Sequence, residues 1–104
     1  MARSRAYQET LKKTLADPAE AAAYLNAALE EGDPAVFLMA LKDVADVHGG
    51  VAKLAEATRL NRESMYRMLS EDGNPRISSL NAVLHALGLK LAIAPGNKSN
   101  RSAA

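Results

Sequence analysis

The 104-residue sequence contains no cysteine and no tryptophan. Without cysteine, disulfide scaffolds, thiolate zinc sites and thiol nucleophiles are excluded together. Only four aromatic residues are present, Tyr7, Tyr24, Phe37 and Tyr66, so a core must be built mainly from aliphatic side chains. β-Branched residues are scarce as well. The chain has 5 Val, 2 Ile and 3 Thr against 21 Ala and 14 Leu, a balance that favours helix over strand. No apolar run approaches the roughly 20 residues that span a bilayer, and the N-terminus lacks the apolar stretch of a secretory signal. We therefore expect one soluble, cytoplasmic, mostly helical domain, because a single core organises about 100–150 residues.

The formal net charge is only +1, but it is unevenly distributed. Residues 1–16 carry +3, residues 17–50 carry −6, and the remainder carries +4. An acidic front and a basic back point to a basic partner for the first and an anionic one for the second.

Helix boundaries are marked by capping chemistry. Asp17-Pro18-Ala19-Glu20 supplies an N-cap, a proline at the first helical position and a glutamate that returns the capping bond. The helix it starts is expected to present Ala21, Tyr24, Leu25, Ala28 and Leu29 inward and to stop at Gly32. Asp33-Pro34 repeats the device, and Phe37, Leu38, Leu41, Val44, Ala45 and Val47 form a wide apolar face up to His48-Gly49-Gly50. A short helix follows from Val51 to Ala57. After a turn, Asn61 caps another expected over 62–71, whose inward positions are Met65, Met68 and Leu69. Ser78 or Ser79 is expected to cap a last helix through Leu80, Val83, Leu84 and Leu87, closed by Gly88. Leu89 to Ile93 alternates as a short strand would, ending at Pro95.

Two short helices separated by a few turn residues, with apolar Val51, Leu54, Ala55, Leu60, Met65 and Leu69, have the spacing of a helix-turn-helix. Ala55 must be small where the helices cross, and Met65 holds the second helix against the first. That second helix can lie in a major groove about 12 Å wide. It would present Asn61, Arg62, Glu63, Tyr66 and Arg67 to base edges. Asn and Arg read purines bidentately, and Glu accepts from cytosine. Lys53, Ser64, Asn74, Arg76 and Ser79 fall near helix ends where phosphates would pass. Each candidate has a plainer reading. Glu63 can pair with Arg67 or Arg59 at four-residue spacing, Tyr66 can cover Met65 or Leu69, and the phosphate candidates can be caps or solvated side chains.

From Asp17 to Pro95 the chain resembles the addiction-module antidote proteins of the HigA-like class, which carry a helix-turn-helix of the Cro/lambda-repressor type. The resemblance lies in AAAYLNAALEEGDPAVFLMALKDVADVHGG and KLAEATRLNRESMYRMLSEDGNPRISSLNAVLHALGLKLAI. Within these, YLNAALEEGDP and LSEDGNP are the specific parts. The caps and periods above give five helices over residues 17–95, charge marks a basic arm over 1–16 and composition a disordered tail over 96–104; the resemblance makes the middle part an all-α, repressor-like domain. It also implies a homodimer that binds a palindromic operator in its own promoter and neutralises a small, basic toxin of the RelE/ParE superfamily. One residue departs from the pattern. Repressors of this type place glycine where this chain has Arg59, a turn position whose positive φ costs a side-chain-bearing residue about 1 kcal/mol.

Two surfaces are candidates for the toxin. Tyr7, Leu11 and Leu15 would form one apolar stripe if residues 6–15 became helical on a partner. Glu30, Glu31, Asp33, Asp43 and Asp46 offer an acidic rival surface. The chain can also be read as a protein-interaction module that inhibits a toxin without sequence-specific DNA binding. An enzyme is not expected. There is no nucleophile elbow and no glycine-rich phosphate loop. His48 and His85 have no second ligand nearby in sequence, so no metal or other cofactor is expected.

Overall fold

A computed structural model describes residues 5–96. Among them the chain forms six helices: α1 (Arg5–Leu15), α2 (Pro18–Glu30), α3 (Pro34–Val47), α4 (Gly50–Thr58), α5 (Arg62–Met68) and α6 (Ile77–Ala86). The all-helical expectation holds, with one helix more than the five expected for the domain.

The aspartate caps form as expected, but the bond expected back from Glu20 does not, because the Asp17 amide donates instead to Thr14 O at 3.2 Å at the end of the preceding helix. The Asp17 carboxylate accepts from the Ala19 amide at 3.2 Å and Asp33 from Ala35 at 3.0 Å, each with proline opening the helix. The chain reverses between α3 and α4 at Gly49 and Gly50, with φ of 104° and 89°. Only glycine occupies that region freely. The Lys53 stem lies across Gly49, so a Cβ there would approach its Cδ at 2.6 Å.

α3 is the central element and packs on α1, α2 and α4, while α4 in turn carries α5 and α6. Leu41 and Val44 of α3 and Val83 of α6 are fully buried, together with Leu15, Met65 and Leu69. Small residues let the helices approach, with Ala21, Ala40, Ala45 and Ala55 all buried. Tyr24, read from sequence only as an apolar position, also donates from its hydroxyl to Asp43 Oδ2 at 2.7 Å and ties α2 to α3. Leu29, expected inward, is 53% exposed because it lies at the end of α2, beyond the residues that reach the core.

Three further expectations are corrected. Residues 5–15 are not a separate basic arm. They form α1, which docks on α2 and α3 through buried Leu15 and half-buried Leu11. Two of the three stripe residues, Leu11 and Leu15, are therefore packed within the chain. Second, no strand forms among the described residues. Within the chain Leu89 to Ile93 has no neighbouring strand to pair with, and Ile93 is wholly exposed. Alternation alone cannot satisfy backbone donors and acceptors. Third, α5 ends at Met68 rather than at residue 71, and α6 starts at Ile77 behind an extended Arg76 with no side-chain cap. The tail from residue 97 onward lies outside the described residues, as do residues 1–4.

Candidate functional site

α4 and α5 are joined by the three-residue turn 59–61. α4 closes on Arg59, whose φ of 61° and ψ of 24° make it the one non-glycine residue with positive φ among those described. The Leu60 amide reaches back to Ala55 O at 3.1 Å and the Arg59 amide to Glu56 O at 3.3 Å, the paired bonds of a Schellman closure. Thr58 reinforces it, its hydroxyl donating to Leu54 O at 2.9 Å. Leu60 then packs half-buried against the core. Asn61 turns the chain into α5 by accepting from the Ser64 amide at 3.0 Å. On α5, Met65 is 1% exposed and anchors the helix, leaving Arg62, Glu63, Tyr66 and Arg67 on its outer side.

Beyond α5 the chain folds back on itself. The Gly73 amide donates to Ser70 O at 2.9 Å, and the glycine passes so close to α5 that a Cβ would collide with the Met68 carbonyl oxygen. This close approach brings residues 72–76 alongside α5 and creates an open cleft of about 710 Å³. The turn contributes Arg59 and Asn61, α5 contributes Ser64 and Arg67, and the returning chain contributes Asp72, Asn74, Arg76 and Ser79. Three arginines from three separate segments therefore line the cleft, with one carboxylate, that of Asp72. No ion pair among the described residues involves Arg59, Arg62, Glu63 or Arg67, so the intrahelical pairing considered for Glu63 does not form.

Asn61, Ser64, Arg67, Asn74, Arg76 and Ser79 thus come together around the cleft, while Arg62, Glu63 and Tyr66 are exposed on α5 outside its lining. Lys53 stands apart from the cleft, on α4 near the α3–α4 reversal. Asn61 spends its amide oxygen on the cap, which leaves its amino group as the stronger hydrogen-bonding handle for a ligand. Sequence reasoning placed Arg59 in the turn without assigning it to the site. The cleft depends on the Gly73 approach, which no spacing rule reveals.

Of the other candidate surfaces, Tyr7 is 51% exposed, whereas Leu11 and Leu15 are withdrawn into the fold. On the acidic side, Asp33 is a cap, Asp43 accepts from Tyr24, and Asp46 meets Lys42 at 3.3 Å. Glu30 and Glu31 stand exposed where α2 ends. No helix among the described residues is long and apolar enough to cross a membrane.

Fold and cleft together define a small all-helical domain presenting an open, cationic surface rather than a closed cavity. Residues 7–95 match the family model described as "probable addiction module antidote protein", and the chain belongs to that family, a family of antitoxins. The match begins inside α1, consistent with α1 being part of the domain. A protein of Haemophilus influenzae, described only as uncharacterized, is 33% identical over 70 residues, which cover 67% of this chain and 71% of that one. No solved structure matches the chain.

Proposed function

We propose that this antidote is of the HigA-like class and acts in two ways. It represses its own operon by binding operator DNA as a homodimer, and it neutralises a small basic toxin of the RelE/ParE superfamily by direct contact. In this reading α4, the turn and α5 are a helix-turn-helix of the Cro/lambda-repressor type. A helix with its side chains is about 10–12 Å across, the width of a major groove. With Met65 turned inward, α5 offers Arg62, Glu63, Tyr66 and Arg67 to base edges, and Asn61 contributes its amino group beside them. Ser64, Asn74, Arg76 and Ser79 face the flanking phosphates, and Lys53 adds a charge further out on α4. The observation that carries the proposal is the convergence of Arg59, Arg67 and Arg76 on one exposed cleft against the single carboxylate of Asp72. A chain of net charge +1 concentrates positive charge there, as contact with a polyanion requires.

Dimerisation follows from the size of the reading surface. One short helix makes too few contacts for tight operator binding, whereas two copies on a two-fold axis match half-sites about one helical turn apart. For the toxin, the acidic segment 17–50 complements a basic partner, with Glu30 and Glu31 the carboxylates left outermost.

The test is a fluorescence titration of the full chain against DNA from upstream of its own gene and against a scrambled fragment, at two salt concentrations. The proposal expects a preference of about 10³ or more and a steep salt dependence. Weak, equal binding to both fragments would leave a toxin inhibitor that does not read DNA.

A further inference from the structure

Arg59 is held in a conformation that its own backbone disfavours. Its φ of 61° is the only positive value outside glycine among the described residues. The hydrogen bonds formed at this point use the amides of Arg59 and Leu60 and the carbonyls of Ala55 and Glu56, so glycine would make every one of them without the clash of a Cβ. The side chain returns no polar contact to the fold either. It is exposed, and among the described residues it has no ion pair or hydrogen bond to offset the strain. Strained backbone persists where a site has a use for it, and here the strained residue lies on the wall of the cationic cleft, with Arg67 and Arg76.

We infer that Arg59 is a phosphate-contacting residue of the nucleic-acid interface, retained at the turn for its guanidinium at the expense of stability. The inference rests on the DNA-binding reading above and deepens it. Arg59 sits at the start of the α4–α5 turn, next to the helix proposed to enter the groove, and its planar fork can grip a phosphate with two bonds. A phosphate contact carries no sequence information, so its loss weakens every DNA alike.

Three variants separate charge from backbone. Arg59→Gly relieves the strain and removes the charge; it should raise Tm by about 2–5 °C, since a freer unfolded chain offsets part of the relief. It should also weaken promoter and scrambled DNA equally, by about fivefold near 0.1 M salt, and reduce the slope of log K against log salt by about 0.9. Arg59→Gln keeps the strain without the charge, so it should match wild type in Tm and Arg59→Gly in binding. Arg59→Lys should keep most of the affinity and the full salt slope. Wild-type affinity and slope in Arg59→Gly or Arg59→Gln would overturn the assignment while leaving DNA binding intact. Absence of salt-dependent binding by the wild-type protein would instead overturn the DNA-binding reading and the assignment with it.

Discussion

Replacing Leu15 by alanine tests whether α1 belongs to the core. Leu15 is the one fully buried residue of α1 and is 1% exposed. Truncating an enclosed leucine costs about 2–5 kcal/mol, depending on how far the site collapses. α1 is a terminal helix resting on α2 and α3, so it can undock once its anchor is shortened, and the loss cannot exceed its docking free energy. That places the cost in the lower half of the range, about 2–3 kcal/mol, or a fall in Tm of about 8–24 °C for a domain of this size. Leu41→Ala, at 0% exposure in central α3, has no such escape and should cost about 4–5 kcal/mol. Urea unfolding followed by far-ultraviolet circular dichroism measures both. If α1 undocks before the rest unfolds, the m-value of Leu15→Ala also falls, because less surface remains to be exposed. A cost below about 0.5 kcal/mol, the value expected of an exposed position, would refute the packed α1 and restore a free arm.

Other substitutions probe the elements that build the cleft. Gly73→Ala drives a Cβ into the Met68 carbonyl and should cost about 2 kcal/mol or more; thermal unfolding with a Tm within 2–3 °C of wild type would contradict the close approach. Asn61→Ala removes the cap of α5 and should lose about 1 kcal/mol, whereas Asn61→Asp keeps the cap and should lose DNA affinity instead. Equal stability loss in the two would remove capping as the role of Asn61. Tyr24→Phe deletes the hydroxyl that bridges to Asp43 and should cost about 1 kcal/mol in chemical denaturation. Arg67→Ala should relax preference at one base step by about 1–3 kcal/mol in a panel of operator variants, and an equal loss on scrambled DNA would remove it from base reading.

The helix starts at Asp17-Pro18, Asp33-Pro34 and Asn61 were legible because capping is a local reaction between a side chain and an amide two or three residues on. The inward faces of α3 and α6 were legible because their period is fixed by helix geometry. What was hidden depended on distant contacts. Tyr7, Leu11 and Leu15 announced an apolar stripe but not what it meets; Leu11 and Leu15 pack into the chain's own core, in a helix that rests on α2 and α3, while Tyr7 stays half exposed. Leu89 to Ile93 had the alternation of a strand, but pairing requires a neighbour that sequence spacing cannot supply. At the site, the outer face of α5 followed from its period. The cleft did not, because it exists only where Gly73 folds back onto Met68 and brings Arg76 around to Arg59 and Arg67. Arg59 itself was visible as a misfit in the turn, and the backbone does adopt the positive φ that made it one.

If α5 and its cleft receive operator DNA, binding must register on their own backbone amides. The most direct measurement is a titration of the isotope-labelled full chain with a duplex from upstream of its own gene, following backbone amide shifts by NMR. The largest changes are expected at residues 59–67 and 73–79, with α1 and α2 unmoved. Changes confined to α1 and α2, or none at any position, would contradict DNA binding there.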